Sequence, residues 1–207
     1  MTLKTFSMAI VLAAFTGFTV IPDDASAARK SYGERYYDYA DGKWKIWKGR
    51  RYVSNKSPIP RKKVRFNEKY APGTIVVKTS EHRLYYVLEN NRAIRYGIGV
   101  GRDGFTWKGK HKLSRKAEWP GWTPPKVMIR REAKKGIKLP AYMPGGPNNP
   151  LGARALYIGS TIYRIHGTNQ PWTIGQSMSS GCIRLANEDV TDLYNRAKIG
   201  AKIVVLQ

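Results

Sequence analysis

Between Thr74 and His166 the apolar positions fall in short bursts bounded by turn residues, a pattern of β-structure. Thr74 to Thr79 (TIVVKT) is rich in β-branched residues and follows Pro72-Gly73, which predicts a strand. Arg83 to Glu89 (RLYYVLE) predicts a second strand. Asn90-Asn91 then predicts a tight hairpin turn into a third, Arg92 to Val100 (RAIRYGIGV), ending in Gly99-Val100-Gly101. Residues 102–152 hold Gly, Pro, Trp and Lys with no sustained period and read as long loops, of a length that usually carries function or folds over a site. Arg154 to Ile158 and Thr161 to His166 predict two further strands around Gly159.

One helix is predicted, late in the chain. Asn187 reads as its N-cap, and Glu188 and Asp189 in the first turn suit the helix dipole. Val190, Leu193, Tyr194 and Ala197 follow the i, i+3, i+4, i+7 spacing of one apolar stripe. Arg196 and Lys198 occupy the expected last turn, with Gly200 just beyond it. Ala201 to Leu206 (AKIVVL) predicts a buried closing strand. The fold class is therefore mainly β, a single sandwich-like domain over residues 73–207 with one helix and long loops over a site.

Upstream the pattern changes. Lys4 precedes an apolar run from Met8 to Val20, and Ala25-Ser26-Ala27 supplies the small-x-small pattern of a signal-peptidase site. Residues 1–27 read as a signal peptide cleaved near Ala27, with an uncleaved anchor as the alternative. Residues 28–72 have no period of 2 or 3.6. Arg29 to Lys69 contains 14 basic and 4 acidic residues, a net +10, interleaved with Tyr32, Tyr36, Tyr37, Tyr39, Trp44, Trp47, Tyr52 and Phe66. This is read as a poorly ordered basic extension, or as an adhesive segment that touches glycan or anionic lipid.

The whole chain of 207 residues has 37 Lys and Arg against 14 Asp and Glu, a formal net charge of +23. Such a charge selects polyanionic partners. Export removes nucleic acid from the candidates and leaves the anionic envelope surface, so the expected location is the periplasm. With one cysteine, a disulfide framework and a Cys-rich zinc module are excluded. No cluster of ligating residues points to a metal, and no cofactor is expected. A serine hydrolase is disfavoured by the lack of a G-x-S-x-G elbow.

The lone thiol, Cys182, lies in Ser179-Ser180-Gly181-Cys182-Ile183-Arg184. It is either an inert buried residue or a reactive one. The preceding small residues could aim backbone amides at an oxyanion, and the following cation would favour the thiolate. His166 ends a predicted strand before Gly167-Thr168-Asn169-Gln170-Pro171 and is the histidine placed to act as base. His82 and His111 sit in charged surroundings and read as surface residues.

IHGTNQPWTIG (165–175) and SSGCIRLANEDVTDLY (179–194) resemble the catalytic signature of the YkuD-type (ErfK-like) L,D-transpeptidases, exported bacterial enzymes of peptidoglycan. PGTIVVKT, LYYVL, YGIGVGR and MPGGPNNPLGARALYIG extend the similarity over 73–207. The resemblance implies Cys182 as nucleophile and His166 as general acid/base. It implies Gly167 as the carbonyl orienting the imidazole, and the Gly181 and Cys182 amides as an oxyanion hole. Arg184 would orient the site or a substrate carboxylate, or else cap loop carbonyls. Many members carry His where this chain has Ser180; if that position contributes its amide, Ser180 serves equally. The implied reaction releases terminal D-Ala from a tetrapeptide stem through a thioester and forms 3→3 cross-links. A hydrolase, or an enzyme attaching or detaching envelope proteins such as an outer-membrane protein, is the first alternative. A non-catalytic wall-binding protein is the second. The expected partners are peptidoglycan stem peptides, and the expected state is a monomer.

Overall fold

The computed structural model describes residues 56–102, 107–134 and 136–207, with the backbone alone of 35–38 and 43–46. The expected leader and much of the basic extension lie outside the described residues. Within that extension β1 (Arg35–Asp38) and β2 (Lys43–Ile46) pair as an antiparallel hairpin.

Nine strands form one sheet. In chain order they are β3 (Lys62–Arg65), β4 (Ile75–Lys78), β5 (Arg83–Leu88), β6 (Arg92–Gly97), β8 (Gly109–Glu118), β9 (Arg154–Ile158), β10 (Arg164–His166), β12 (Ile183–Arg184) and β13 (Lys202–Leu206). A small parallel pair, β7 (Val100–Gly101) with β11 (Ser177–Ser179), stands beside it. The sheet order is β12-β10-β9-β8-β13-β4-β5-β6-β3. The closing strand β13 lies in the middle, parallel to β4 and antiparallel to β8. Ile203, Val204 and Val205 are buried, as are Ile75, Val76 and Val77 beside them. Continuous apolar runs of this kind mark strands covered on both faces, each side chain contributing about 1.5–3 kcal/mol.

Asn90 and Asn91 take φ of 58° and 52°, left-handed values within the three-residue turn, 89–91, that joins β5 to β6 where Leu88 pairs with Arg92. Beyond β6 the chain meets the far end of the sheet. Gly99 and Arg184 exchange both backbone hydrogen bonds at 2.9 Å. The sheet therefore curls until its ends touch, and residues from both ends, Tyr96 and Ile183 among them, share one core. Closure removes an edge that would otherwise be open to another strand. The layers of the expected sandwich are thus parts of one continuous sheet.

Three sequence expectations need correction. The sheet begins at Lys62, upstream of the boundary drawn at residue 73, because β3 pairs with β6 and forms a lysine-bearing edge. Residues 102–152 are not only loop: they hold the ten-residue β8 and a second helix, α1 (Lys126–Ala133). Helix α1 has no buried apolar residue, only Glu132, so periodicity leaves it invisible. In β8 only Leu113 is buried, and its neighbours β9 and β13 make it a strand. The predicted helix is α2 (Asn187–Arg196), with Val190, Leu193 and Ala197 in the core. Its N-cap is Ala186, not Asn187, whose side chain is used elsewhere.

Candidate active site

Strands β10 and β12 run parallel, with Ile165 opposite Ile183 and His166 opposite Arg184. Both isoleucines enter the core. Alternation sends Arg164, His166 and Arg184 to the opposite face, and Cys182, one residue before β12, continues that set opposite Arg164. Thiol and imidazole thus arise on one face of adjacent strands, about 8 Å apart between Cα positions by strand geometry. The fifteen intervening residues leave β10 through the 3-10 turn Pro171–Thr173 and β11 before returning beside it.

His166 is buried, and its Nδ1–H donates to Gly167 O at 2.6 Å. A carbonyl only accepts, so the proton sits on Nδ1 and the Nε2 lone pair is available as a base. Burial lowers the imidazole to about 3, helped by the charges of Arg164 and Arg184, against the Gly167 carbonyl that favours the charged ring. Burial also raises the Cys182 thiol, while Arg164 and Arg184 pull it the other way. Desolvation is the larger influence. Arg184 does favour the thiolate, as its place after the cysteine suggests, but desolvation outweighs it, and the balance favours a neutral thiol and a neutral imidazole.

The cysteine loop is pinned from several directions. Ser179 Oγ–H donates to Cys182 O at 2.6 Å, and Gly181 N–H donates to Ser179 Oγ at 3.2 Å. The Gly181 amide is therefore engaged within the loop in this state. Gly181 has φ of 99°, which suits a glycine between Ser180 and Cys182. Trp107 Nε1–H donates to Gly181 O at 2.8 Å, and its ring stacks on Tyr163 with centroids 4.6 Å apart. Arg102 N–H donates to Ser179 O, and Val100 N–H to Gln176 O. Arg184 is buried in β12 and packs at Gly99. His82 bonds Ser177 Oγ at 3.0 Å, and His111 lies edge-on to Trp107; neither shares the strand pair that carries His166 and Cys182.

The histidine turn is held by a residue that the sequence marks only as a helix cap. Asn187 Oδ1 accepts from Ala153 N–H at 2.9 Å and Thr168 N–H at 3.2 Å, tying the chain after His166 to the start of α2. Asn187→Ala should cost about 1–3 kcal/mol, because two amides lose their acceptor, and should slow acylation of Cys182. Asn187→Asp keeps the acceptor and should restore most of both. Urea unfolding and acylation rates on the same preparations check this; equal losses in the two variants would refute it.

Cavities of 380 and 530 Å³ open at the β5–β6 turn, both lined by Lys63, Asn90 and Arg92. They include neither Cys182 nor His166. No group of three or more His, Cys, Asp or Glu that could hold a metal occurs among the described residues.

The YkuD family profile, the L,D-transpeptidase catalytic domain, matches residues 72–205. Two Escherichia coli K12 proteins are similar: the probable L,D-transpeptidase ErfK/SrfK at 40% identity over 137 residues, and the probable L,D-transpeptidase YbiS at 41% over 134. The alignments cover 64% and 62% of this chain and 43% of each relative, so the chain spans under half of their length. A Brucella melitensis crystal structure described as a probable carnitine operon oxidoreductase, caia, is 46% identical, covering 73% of this chain and 96% of that one at a TM-score of 0.48. The matched profile spans most of the closed sheet and both residues of the Cys–His pair, and the chain belongs to the YkuD family of L,D-transpeptidase catalytic domains.

Proposed function

We propose that this protein is a peptidoglycan L,D-transpeptidase with Cys182 as nucleophile and His166 as general base and acid. The observation that carries the reading is the His166 Nδ1–H bond to Gly167 O, which leaves Nε2 as a base on the face from which Cys182 arises. As the Cys182 sulfur attacks the carbonyl of the third stem residue, its proton passes to His166 Nε2. The C–N bond to the terminal D-Ala breaks, and His166 returns the proton to the leaving amine. A thioester remains on Cys182. An acceptor amine on a neighbouring stem then attacks it, loses a proton to His166, and expels the thiol. The product is a 3→3 cross-link. The peptide bond of the donor supplies the energy, which suits an exported enzyme, and the apolar run 8–20 with Ala25-Ser26-Ala27 is in keeping with export to the periplasm.

Starting from a neutral pair fits acyl transfer with concerted proton movement. A thiolate desolvated in the resting state would carry an energetic cost that the neutral thiol avoids. The Cys182 amide, at the turn into β12, would face the developing oxyanion. Gly181 N–H would join it only if Ser179 Oγ lets go.

The test is incubation of the protein with disaccharide-tetrapeptide, followed by mass spectrometry. Release of D-Ala together with a cross-linked dimer is expected. D-Ala without dimer would replace the transferase reading by hydrolysis, and neither product would overturn both.

A further inference from the structure

We propose that Arg115, Tyr157 and Arg164 form a binding site for a free carboxylate of the peptide substrate, laid across the sheet from Cys182. The proposal rests on the transpeptidase reading of Cys182 and adds to it what the enzyme recognises. Register places the three side chains in one row: Arg115 pairs with Tyr157 across β8 and β9, and Tyr157 with Arg164 across β9 and β10. Extending the β10–β12 register by one residue brings the row to Cys182. Directly paired residues share a face, so the row stands on the side of the sheet opposite Leu156, Ile165 and Ile183, which fill the core.

Both guanidinium groups lean on the same ring. Arg115 lies 3.6 Å and Arg164 5.6 Å from the Tyr157 centroid, so the two cations are at most about 9 Å apart. Neither pairs with a carboxylate among the described residues, although Arg61, Arg131, Arg154 and Arg196 all do. Arg164 Nε is buried with no hydrogen-bond partner, and its one bond, from Nη2 to Ile162 O, is long at 3.3 Å. Two like charges against one aromatic ring, one of them with a buried donor left unsatisfied, are complemented by an anion. A planar carboxylate matches the donor fork of a guanidinium.

Position selects the substrate as the source of that anion. At about 4.8 Å per strand, Arg164 is one step and Arg115 three steps, about 14 Å, from the nucleophile. An extended peptide of about four residues covers that distance. A carboxylate within the stem would meet Arg164, and one further along would meet Arg115. The same row would hold the peptide while Cys182 reacts, without taking part in proton transfer.

Binding to the Cys182→Ala protein tests this without turnover. Two synthetic stem tetrapeptides would be used, identical except that one carries free carboxylates within the stem and the other the corresponding amides. Calorimetry should show the free form bound at least about tenfold more tightly. Arg115→Gln and Arg164→Gln should each remove most of that preference and leave the affinity for the amide unchanged; Arg115→Lys should keep part of it. Equal affinity for the two peptides, or an equal loss for both in Arg115→Gln, would overturn the site. Inorganic phosphate competing as strongly as the free peptide would also overturn it, showing a general anion patch. Whether wild-type protein releases D-Ala is measured separately, so failure of the catalytic reading is distinguishable from failure of carboxylate recognition.

Discussion

Cys182→Ala abolishes turnover of disaccharide-tetrapeptide, lowering the rate by at least about 10,000-fold, and removes the covalent adduct that the wild-type protein forms with a carbapenem. Folding should be retained, since the side chain lost is small and the Ser179 bond that holds the loop is made to the Cys182 backbone carbonyl. The pH dependence of the same acylation reports the resting state. His166, lowered to about 3, is a neutral base throughout the neutral range. The thiol stays protonated there, because burial raises it above its ordinary value of 9.0. The acylation rate should therefore be flat between about pH 5 and 8, with thiolate absorbance rising only above pH 9. Full thiolate absorbance at pH 6 would show a preformed ion pair and contradict the neutral pair. Measurable adduct on the Cys182→Ala protein would contradict the nucleophile itself.

A second large effect is expected well away from the thiol. Gly152→Val should destabilise the fold by about 3 kcal/mol or more and lower kcat by about 100-fold. Gly152 has φ of 62°, and a Cβ there would stand 2.2 Å from Asn187 Oδ1, 2.4 Å from Thr168 N and 2.6 Å from the Gly167 carbonyl carbon. Two of these atoms belong to the backbone that follows His166, so relief of the overlap must move the carbonyl that fixes the imidazole. Gly200→Ala is the control. Gly200 also has positive φ, 87°, but a Cβ there meets nothing within 4 Å. It should cost about 1–2 kcal/mol from conformation alone and leave kcat intact. Chemical denaturation with single-turnover acylation separates the cases. Full activity in Gly152→Val would mean that the turn does not position His166.

Much of this was legible before any coordinates. Strands with buried β-branched runs, the Asn90-Asn91 turn and the stripe of α2 are local features, and a short window of sequence carries their signal. The segments misread are those whose structure comes from neighbours. Strand β8 alternates with charged residues that stay exposed, and pairing on both sides makes it a strand. Helix α1 turns no apolar face to the core. Asn187 has a good N-cap side chain, yet its oxygen meets amides 34 and 19 residues away.

The sequence alone determined the residue types that carry the chemistry and their order: one thiol, one histidine before a glycine, and a mainly β frame around them. It could not determine their charge state. A cation two residues after the cysteine suggests a thiolate, but burial is a property of the closed sheet, and desolvation outweighs both nearby arginines. Nor could it reveal the row of Arg115, Tyr157 and Arg164, whose members lie 42 and 7 residues apart along the chain. Only the register of three strands sets them side by side, because strand pairing joins positions by their distance along the sheet and not along the chain.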